Sequence, residues 1–280
     1  MKRKWLNMGF SLLLTFCLAG RGALAGAAQW QPPCTTEPYD YAYQDDVRWI
    51  TVNRISGKDV TYFVADVQLA DISGFQTALS GGRPFGSLEP LSEMAARQRA
   101  ILAVNGDDYG VHSYGTIIRN GELIRAHGTT RNMLIVDKEG NMSVKVDRKG
   151  EKPEAFSKEL LAQGVWQTFE FGPELVRQGQ EAEFSKAFDV ISTRDSRREP
   201  RTAIGQIGPL HYILIVADGR QEGYSKGMTL PELRQLFVAY GAQTAMNLDG
   251  GGSTELWFQG EILNRPSAGE ERYVSDMIFF

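Results

Sequence analysis

Cysteine is nearly absent: the 280-residue chain has two, Cys17 and Cys34. Cys17 falls in the leader described below, and Cys34 in a Pro-rich stretch, Gln31-Pro32-Pro33-Cys34. The remainder therefore has no internal disulfide and no cysteine-based metal site. Histidine is almost as scarce, with His112, His127 and His211 alone, which argues against a multi-histidine metal centre. Positive charge is not in excess: 30 Lys and Arg against 34 Asp and Glu give −4, the wrong sign for an ordinary nucleic-acid binder. There is no Walker loop, no G-x-S-x-G elbow and no H-E-x-x-H helix. What is present is a 42% hydrophobic, 23% charged chain with 30 glycines. That composition excludes disorder, collagen-like repeats and a coiled coil, and favours strands and turns.

The N-terminus reads as an export signal. Met1-Lys2-Arg3-Lys4 is basic, residues 8–19 are apolar, and Ala23-Leu24-Ala25 is a small-x-small cleavage site. An apolar stretch of ~12 residues is the length of a signal peptide and too short for a membrane span. The expectation is a signal peptide over 1–25 and a product that is secreted, periplasmic or in the cell envelope, with no membrane span after cleavage. Residues 26–45, with Pro32, Pro33 and Pro38, read as a tether.

Residues 46–280 read as one domain. Strand-length apolar runs bounded by Gly, Asp or Asn occur at 48–55, 61–69, 100–105, 115–118, 132–137, 142–146, 212–217, 244–248, 255–258 and 274–279. Two stretches predict helices. One is 88–99, with Leu88, Leu91, Met94 and Ala95 on one face and Pro90 in the first turn. The other follows the capping box Thr229-Leu230-Pro231-Glu232 and carries Leu230, Leu233, Phe237 and Tyr240 at helical spacing. The predicted class is α+β: a strand-rich single domain with a mixed or antiparallel sheet and a few helices.

Asn-Gly and Asp-Gly pairs are first of all turn signals. Asn120-Gly121 and Gln259-Gly260 are flanked symmetrically by strand residues and need no other explanation. Three sites differ. Val104-Asn105-Gly106-Asp107-Asp108 ends an apolar strand in two carboxylates, and Ala217-Asp218-Gly219-Arg220 leaves another for a polar loop. Asn247-Leu248-Asp249-Gly250-Gly251-Gly252-Ser253 spends three glycines where a turn needs one or two, each costing ~0.5–1 kcal/mol. Such a run suggests backbone N–H groups aimed at an anion. Strand alternation puts Asn247 and Asp249 on one face, and Asn105 and Asp107 likewise. Arg201 enters a strand at Arg201-Thr202-Ala203-Ile204-Gly205 and could complete a phosphate site. Glu170, in Phe169-Glu170-Phe171-Gly172-Pro173, reads more simply as an outward strand residue than as a catalyst. His112 is the one histidine near the candidate site and reads as a solvated loop residue.

In these motifs, taken in order, the chain resembles the phosphodiester glycosidase family. The resemblance runs through Asn105-Gly106, Phe171-Gly172-Pro173, Arg201–Gly205, Asp218-Gly219-Arg220, Gly227–Leu233 and Asn247–Ser253, spanning about residues 100–280. An animal member of that family is disulfide-rich, which this chain is not. The resemblance implies hydrolysis of a sugar-1-phosphodiester, and bacterial relatives with names linked to exopolysaccharide biosynthesis point to an envelope or exopolysaccharide glycan. A sugar-phosphate or polysaccharide substrate is expected, with no cofactor and no nucleic acid.

Cleavage at the anomeric carbon passes through an oxocarbenium-like state and leaves a phosphate monoester. Asp249 is the first choice for the carboxylate that activates water or attacks the sugar, with Asp107 and Asp218 next. Arg201 and the Gly250, Gly251, Gly252 and Ser253 backbone would stabilise the departing phosphate. Asn105 and Asn247 would hold sugar hydroxyls or orient the carboxylates. Gly106, Thr202, Arg220 and Glu170 complete the candidate binding set. Two other readings stay open: a phosphodiesterase holding Mg²⁺ or Ca²⁺ on Asp107, Asp108 and Asp249, and a non-catalytic envelope-glycan binding domain.

Overall fold

The structure, a computed structural model, describes residues 39–145, 150, 152–184 and 197–280. The expected signal peptide, most of the expected tether and Cys34 lie outside the described residues.

Two strands organise the larger sheet, Arg201–Gly208 and His211–Ala217, which form an antiparallel hairpin. Both are apolar on both sides, and alternation sorts their side chains. Ile204, Tyr212, Leu214 and Val216 enter the main core, while Ala203, Ile213, Ile215 and Ala217 face a second apolar cluster. The order across this eight-stranded antiparallel sheet is Tyr41–Gln44, Arg48–Ser56, Thr61–Leu69, His211–Ala217, Arg201–Gly208, Thr244–Asn247, Glu174–Arg177, Gln180–Glu181.

A five-stranded sheet packs against the inner face, ordered Glu261–Ile262, Leu256–Phe258, Leu102–Asn105, Asp276–Phe279, Gln76–Leu79. Its Leu102, Val104, Leu256, Phe258 and Ile278 share the main core with Ile50, Val52, Phe63 and Val67 of the larger sheet. A three-stranded sheet, Met142–Lys145, Asn132–Asp137 and Val165–Phe171, closes the same core with Leu134, Val136 and Phe169.

Helices cover the outer faces. The first, α1 (Leu91–Gln98), puts Leu91, Met94 and Ala95 on Ala103, Trp257 and Met277. The second, α2 (Pro153–Ala162), sets Phe156 and Leu160 against Ile118, Met133 and Val165. The third, α3 (Leu230–Ala239), seats Leu230, Leu233 and Phe237 on the outer face of the larger sheet. Each such buried Leu or Phe contributes roughly 1.5–3 kcal/mol. The reciprocal Thr229–Glu232 capping box starts α3 as the sequence predicts. Among the described residues no helix is long and apolar enough to cross a membrane.

The strand-rich α+β class therefore holds, with antiparallel sheets and, among the described residues, three α-helices. Asn120 and Gly121, both at positive φ, form the plain hairpin turn expected of them, as do Gln259 and Gly260. Several elements differ from expectation. The first helix begins at Leu91, because Pro90 is extended and serves as its N-cap. α2 went unpredicted. The run 274–279 is two elements, Tyr273–Val274 and Asp276–Phe279, in different sheets. The tether does not reach 45, since Tyr41–Gln44 pairs with Trp49–Val52 as an edge strand.

Candidate active site

The ends of strands from the two facing sheets meet at Asp249. Asn105, ending its strand, is buried and works in three directions. Its Nδ2 donates to the Asp249 carbonyl at 2.7 Å, while its Oδ1 accepts from Thr202 Oγ1 at 2.7 Å and Glu255 N at 3.2 Å. The Asp249 N–H donates to the Gly106 carbonyl at 3.2 Å. The backbone of Asp249 is thus held by one sheet while its own strand belongs to the other. Asn105 and Thr202 orient the site from beneath; neither hydrogen bond leaves Thr202 facing a ligand. Gly106 is required for clearance, because a Cβ there would lie 2.3 Å from Asp276 Oδ1.

Asp249 lies on the boundary of two cavities and lines both. The first, about 520 Å³, carries Arg131, Arg197, Arg201 and Arg220 against Glu199 and Asp249, with Phe171, Leu230 and Asn247. The second, about 1020 Å³, carries Asp108, Asp249, Glu270 and Glu271 against Arg220 and Arg272, with Ser253, Ser275 and Tyr273. One cavity is cationic and its neighbour acidic. Burial pushes the Asp249 carboxyl up to about 6, opposed by the Ser253 hydrogen bond and reinforced by the charge on Asp108.

Asn247 and Asp249 do share the first cavity, although the strand itself stops at Asn247. Asn247 Nδ2 donates to the Gly172 and Leu248 carbonyls at 2.9 and 3.0 Å, leaving Oδ1 without a hydrogen-bond partner. Arg201 lines this cavity with its guanidinium braced on the Met228 and Arg197 carbonyls, at 3.0 and 3.1 Å. Arg220 donates to Glu199 at 2.5 Å and borders both cavities.

The three glycines have a different purpose from the one the sequence suggests. The N–H groups of Gly250, Gly251 and Ser253 are taken internally, by Asp249 Oδ1 and the Pro200 and Gly250 carbonyls, at 2.9, 2.9 and 3.2 Å. What the glycines supply is room. A Cβ on Gly251, whose φ is +61°, would sit 3.0 Å from Arg220 Nη2, and one on Gly252 would sit 3.1 Å from Arg272 Nη1. The loop admits two guanidinium groups against its backbone in place of forming an N–H nest.

Three predicted carboxylates are engaged elsewhere. Asp107 is buried, accepts the Tyr109 and Glu170 N–H groups at 3.0 and 2.9 Å, and pairs with Arg119 at 3.0 Å. Its strand stops at Asn105, so the alternation that would aim it at the cavity does not continue. Asp218 accepts from Tyr224, Asn264 and the Arg265 N–H at 2.7, 3.0 and 2.9 Å, pinning the 264–265 loop. Burial raises its pKa against those bonds. Glu170 is wholly buried, not outward, and accepts the Thr116 N–H at 2.8 Å.

Asp108 stands at the cavity in place of Asp107. It pairs with Arg131, which lies over the Tyr114 and Phe171 rings at 5.0 and 5.1 Å. The sequence reading overlooked Arg131, although Arg131-Asn132 opens a buried strand just as Arg201-Thr202 does. The proposed ion-ligand trio is not assembled, since Asp107 faces Arg119 while Asp108 faces Arg131. Among the described residues no cluster of three His, Cys, Asp or Glu has metal-ligating geometry.

Beneath the glycine loop Glu255 is fully buried. Its Oε1 accepts the Arg272 N–H at 2.7 Å, and its Oε2 has no hydrogen-bond partner. Burial carries its pKa from 4.5 to about 8. Between those values the folded protein keeps a proton that the unfolded chain releases, so stability falls as pH rises through the window. Glu255→Gln should flatten that fall. Its thermal midpoint relative to wild type is expected to rise between about pH 5 and pH 8, by an amount worth a few kcal/mol. A constant difference across that range would refute the assignment.

The phosphodiester glycosidase family profile matches residues 98–280. The SPbeta prophage-derived uncharacterized protein YomE of Bacillus subtilis (strain 168) is 29% identical over 197 residues, 68% of this chain, and the match takes in 29% of that relative's length. Among solved structures, the catalytic domain of zebrafish N-acetylglucosamine-1-phosphodiester alpha-N-acetylglucosaminidase, auto-inhibited by its pro-peptide, aligns with a TM-score of 0.67. It is 18% identical, and the alignment covers 83% of each chain. A hypothetical protein from Synechocystis aligns with a TM-score of 0.56 at 17% identity, over 84% of this chain and 62% of that one. These structural likenesses establish a shared fold, and the profile match establishes kinship: the chain belongs to the phosphodiester glycosidase family.

Proposed function

We propose that this protein is an exported hydrolase that cleaves a sugar-1-phosphodiester at the anomeric C–O bond, acting on an envelope or exopolysaccharide glycan. The observation that carries this reading is the position of Asp249, shared between a cationic cavity and an acidic one. A glycosyl phosphodiester has the same polarity: an anionic diester on one side of the scissile bond and an uncharged, hydroxyl-rich ring on the other. Arg131, Arg201 and Arg220 would receive the phosphate, matching its oxygens with planar guanidinium donors. The carboxylates and serines of the second cavity would accept and donate hydrogen bonds to the sugar.

The leaving group is a phosphate monoester, which needs charge stabilisation more than protonation, and the arginines supply it. With its pKa near 6, Asp249 is matched to proton transfer near neutral pH, and takes the proton of the attacking water. Asp108 is the second carboxylate of the pair. Water oxygen bonds to C1, the C1–O bond breaks, and the phosphomonoester leaves with all its oxygens.

That bookkeeping gives the test. Methyl-capped sugar-1-phosphodiesters hydrolysed in ¹⁸O-water should yield sugar labelled at C1 and unlabelled phosphate, with turnover unaffected by chelator. Label in the phosphate, accompanied by chelator sensitivity, would establish attack at phosphorus by a metal-dependent enzyme. Absence of turnover across a broad sugar panel would favour the binding-domain reading.

A further inference from the structure

We propose that His112 is a positioning residue for Asp108, and that the buried guanidinium of Arg125 fixes the ring proton through which it acts. The inference rests on the reading above, in which Asp108 works beside Asp249.

His112 is not the solvated loop residue its sequence context suggests, for its side chain is 10% exposed. The ring stacks on Tyr114 with centroids 3.7 Å apart and planes within 2°. Both ring nitrogens are engaged: Nε2 lies 3.0 Å from Asp108 Oδ1, and Nδ1 lies 3.3 Å from Arg125 Nη2. Arg125 is itself buried, and its Nη1 donates to the Tyr109 and His112 carbonyls at 3.0 and 2.6 Å. It therefore clamps the turn that carries Asp108.

The tautomer follows from hydrogen-bond chemistry. A guanidinium has donors and no acceptor, so His112 Nδ1 must present its lone pair to Arg125. The ring proton then sits on Nε2 and is donated to Asp108. A ring nitrogen whose partner dictates where the proton resides is a recurrent way of orienting an acidic or metal-binding group.

The consequence is that the two oxygens of Asp108 become unequal. Oδ1 accepts from both His112 Nε2 and Arg131 Nη1, whereas Oδ2 accepts from Arg131 Nη2 at 3.2 Å. A carboxylate oxygen has two lone pairs. Oδ1, which accepts two hydrogen bonds, is the anchor, and Oδ2 keeps capacity for a substrate or water in the second cavity, which Asp108 lines. Removing the Nε2 proton would leave the carboxylate on the Arg131 pair, able to pivot with that side chain, and a misplacement of about 1 Å at a reacting group can cost about 10²-fold in rate.

Two substitutions separate the proton from the packing. His112→Phe keeps the stacked ring and loses the donor; His112→Gln loses the ring and keeps an N–H near the position of Nε2. With the substrate of the ¹⁸O experiment, His112→Phe should lower kcat roughly 10- to 100-fold with KM within about twofold. His112→Gln should stay within about threefold of wild type; His112→Phe, which also leaves the buried Arg125 Nη2 without its acceptor, should melt lower, so its kcat is read on the folded protein. Independently of activity, the ¹⁵N chemical shifts of His112 should report the Nε2–H tautomer. An Nδ1–H tautomer overturns the proposal, as does a His112→Gln protein as slow as His112→Phe, which would mean packing alone matters. Asp108→Asn distinguishes the levels. If it is inactive while His112→Phe turns over normally, only the positioning role fails; if it is fully active, the parent reading falls as well.

Discussion

Asp249→Asn is expected to lower kcat by about 10³-fold and, in the same protein, to raise the thermal midpoint. The two effects share one origin. The Asp249 carboxyl is half-buried beside Asp108, and burial raises its pKa from 3.8 to about 6. In that interval the folded state holds a proton the unfolded state has lost, so wild-type stability declines as pH rises from about 4 to 6. The amide has no charge to desolvate and keeps an oxygen for the Gly250 N–H, which Asp249 Oδ1 now accepts at 2.9 Å. It should therefore gain stability on the order of 1 kcal/mol above pH 6 while losing the base. Wild-type kcat/KM should show an acidic limb near pH 6, where protonation removes the proton acceptor. Parallel kinetic and melting measurements decide the matter: an active Asp249→Asn protein would move the base to Asp108, and a destabilised one would contradict the desolvation argument.

Arg119→Met is expected to be the most damaging single substitution for folding. Arg119 is buried between Asp107 at 3.0 Å and Asp276 at 2.6 Å, over the Phe169 ring at 4.3 Å, with Nη1 also donating to the Thr168 and Ile118 carbonyls. Burial lowers the arginine's pKa, but the two carboxylates together outweigh it and raise it further above its ordinary value. Burial and the adjacent Asp107 push Asp276 upward, and Arg119 holds it down. Methionine fills most of the volume and leaves two buried carboxylates facing each other. Breaking such a network typically costs about 3–5 kcal/mol, a large share of the roughly 5–15 kcal/mol that stabilises a domain. Urea unfolding should show that loss. Asp107→Asn keeps hydrogen-bonding capacity and should be milder, with catalysis retained in whatever fraction folds. A severe, selective loss of kcat in folded Asp107→Asn would restore to Asp107 the catalytic role that its sequence position first suggests.

The sequence discloses the elements that depend on local chemistry. Thr61–Leu69 and Asn132–Asp137 are legible end to end because their alternation and flanking turns are both clear. The α3 start is legible because Thr229 and Glu232 close a box within four residues. α2 is not, since its apolar face is short, Phe156 and Leu160 with Leu161 at its edge, and it relies on the small sheet beneath it. The same division applies to the site. Asn247 is found by strand period and Arg201 by its place at a strand start. Asp107 and Asp108 are adjacent, and only tertiary structure reveals that Arg119 draws one inward while Arg131 holds the other at the cavity. Likewise, a glycine run reads equally well as an N–H nest or as clearance for a neighbour. Only Arg220 and Arg272, both remote from Gly251 in sequence, separate the two.

The placement of Asp276–Phe279 between Leu102–Asn105 and Gln76–Leu79 governs the order in which the molecule can be assembled. The strands on either side are translated long before the one that joins them, so in the emerging chain Gln76–Leu79 has no link to the rest of its sheet. Asn105 would then lack Met277, the residue opposite it in the ladder. Non-local pairings of this kind are reached late, after most loop-closure entropy has been lost, and unpaired edges are exposed to aggregation in the interval. The site consequently matures only after residues 276–279 have been synthesised.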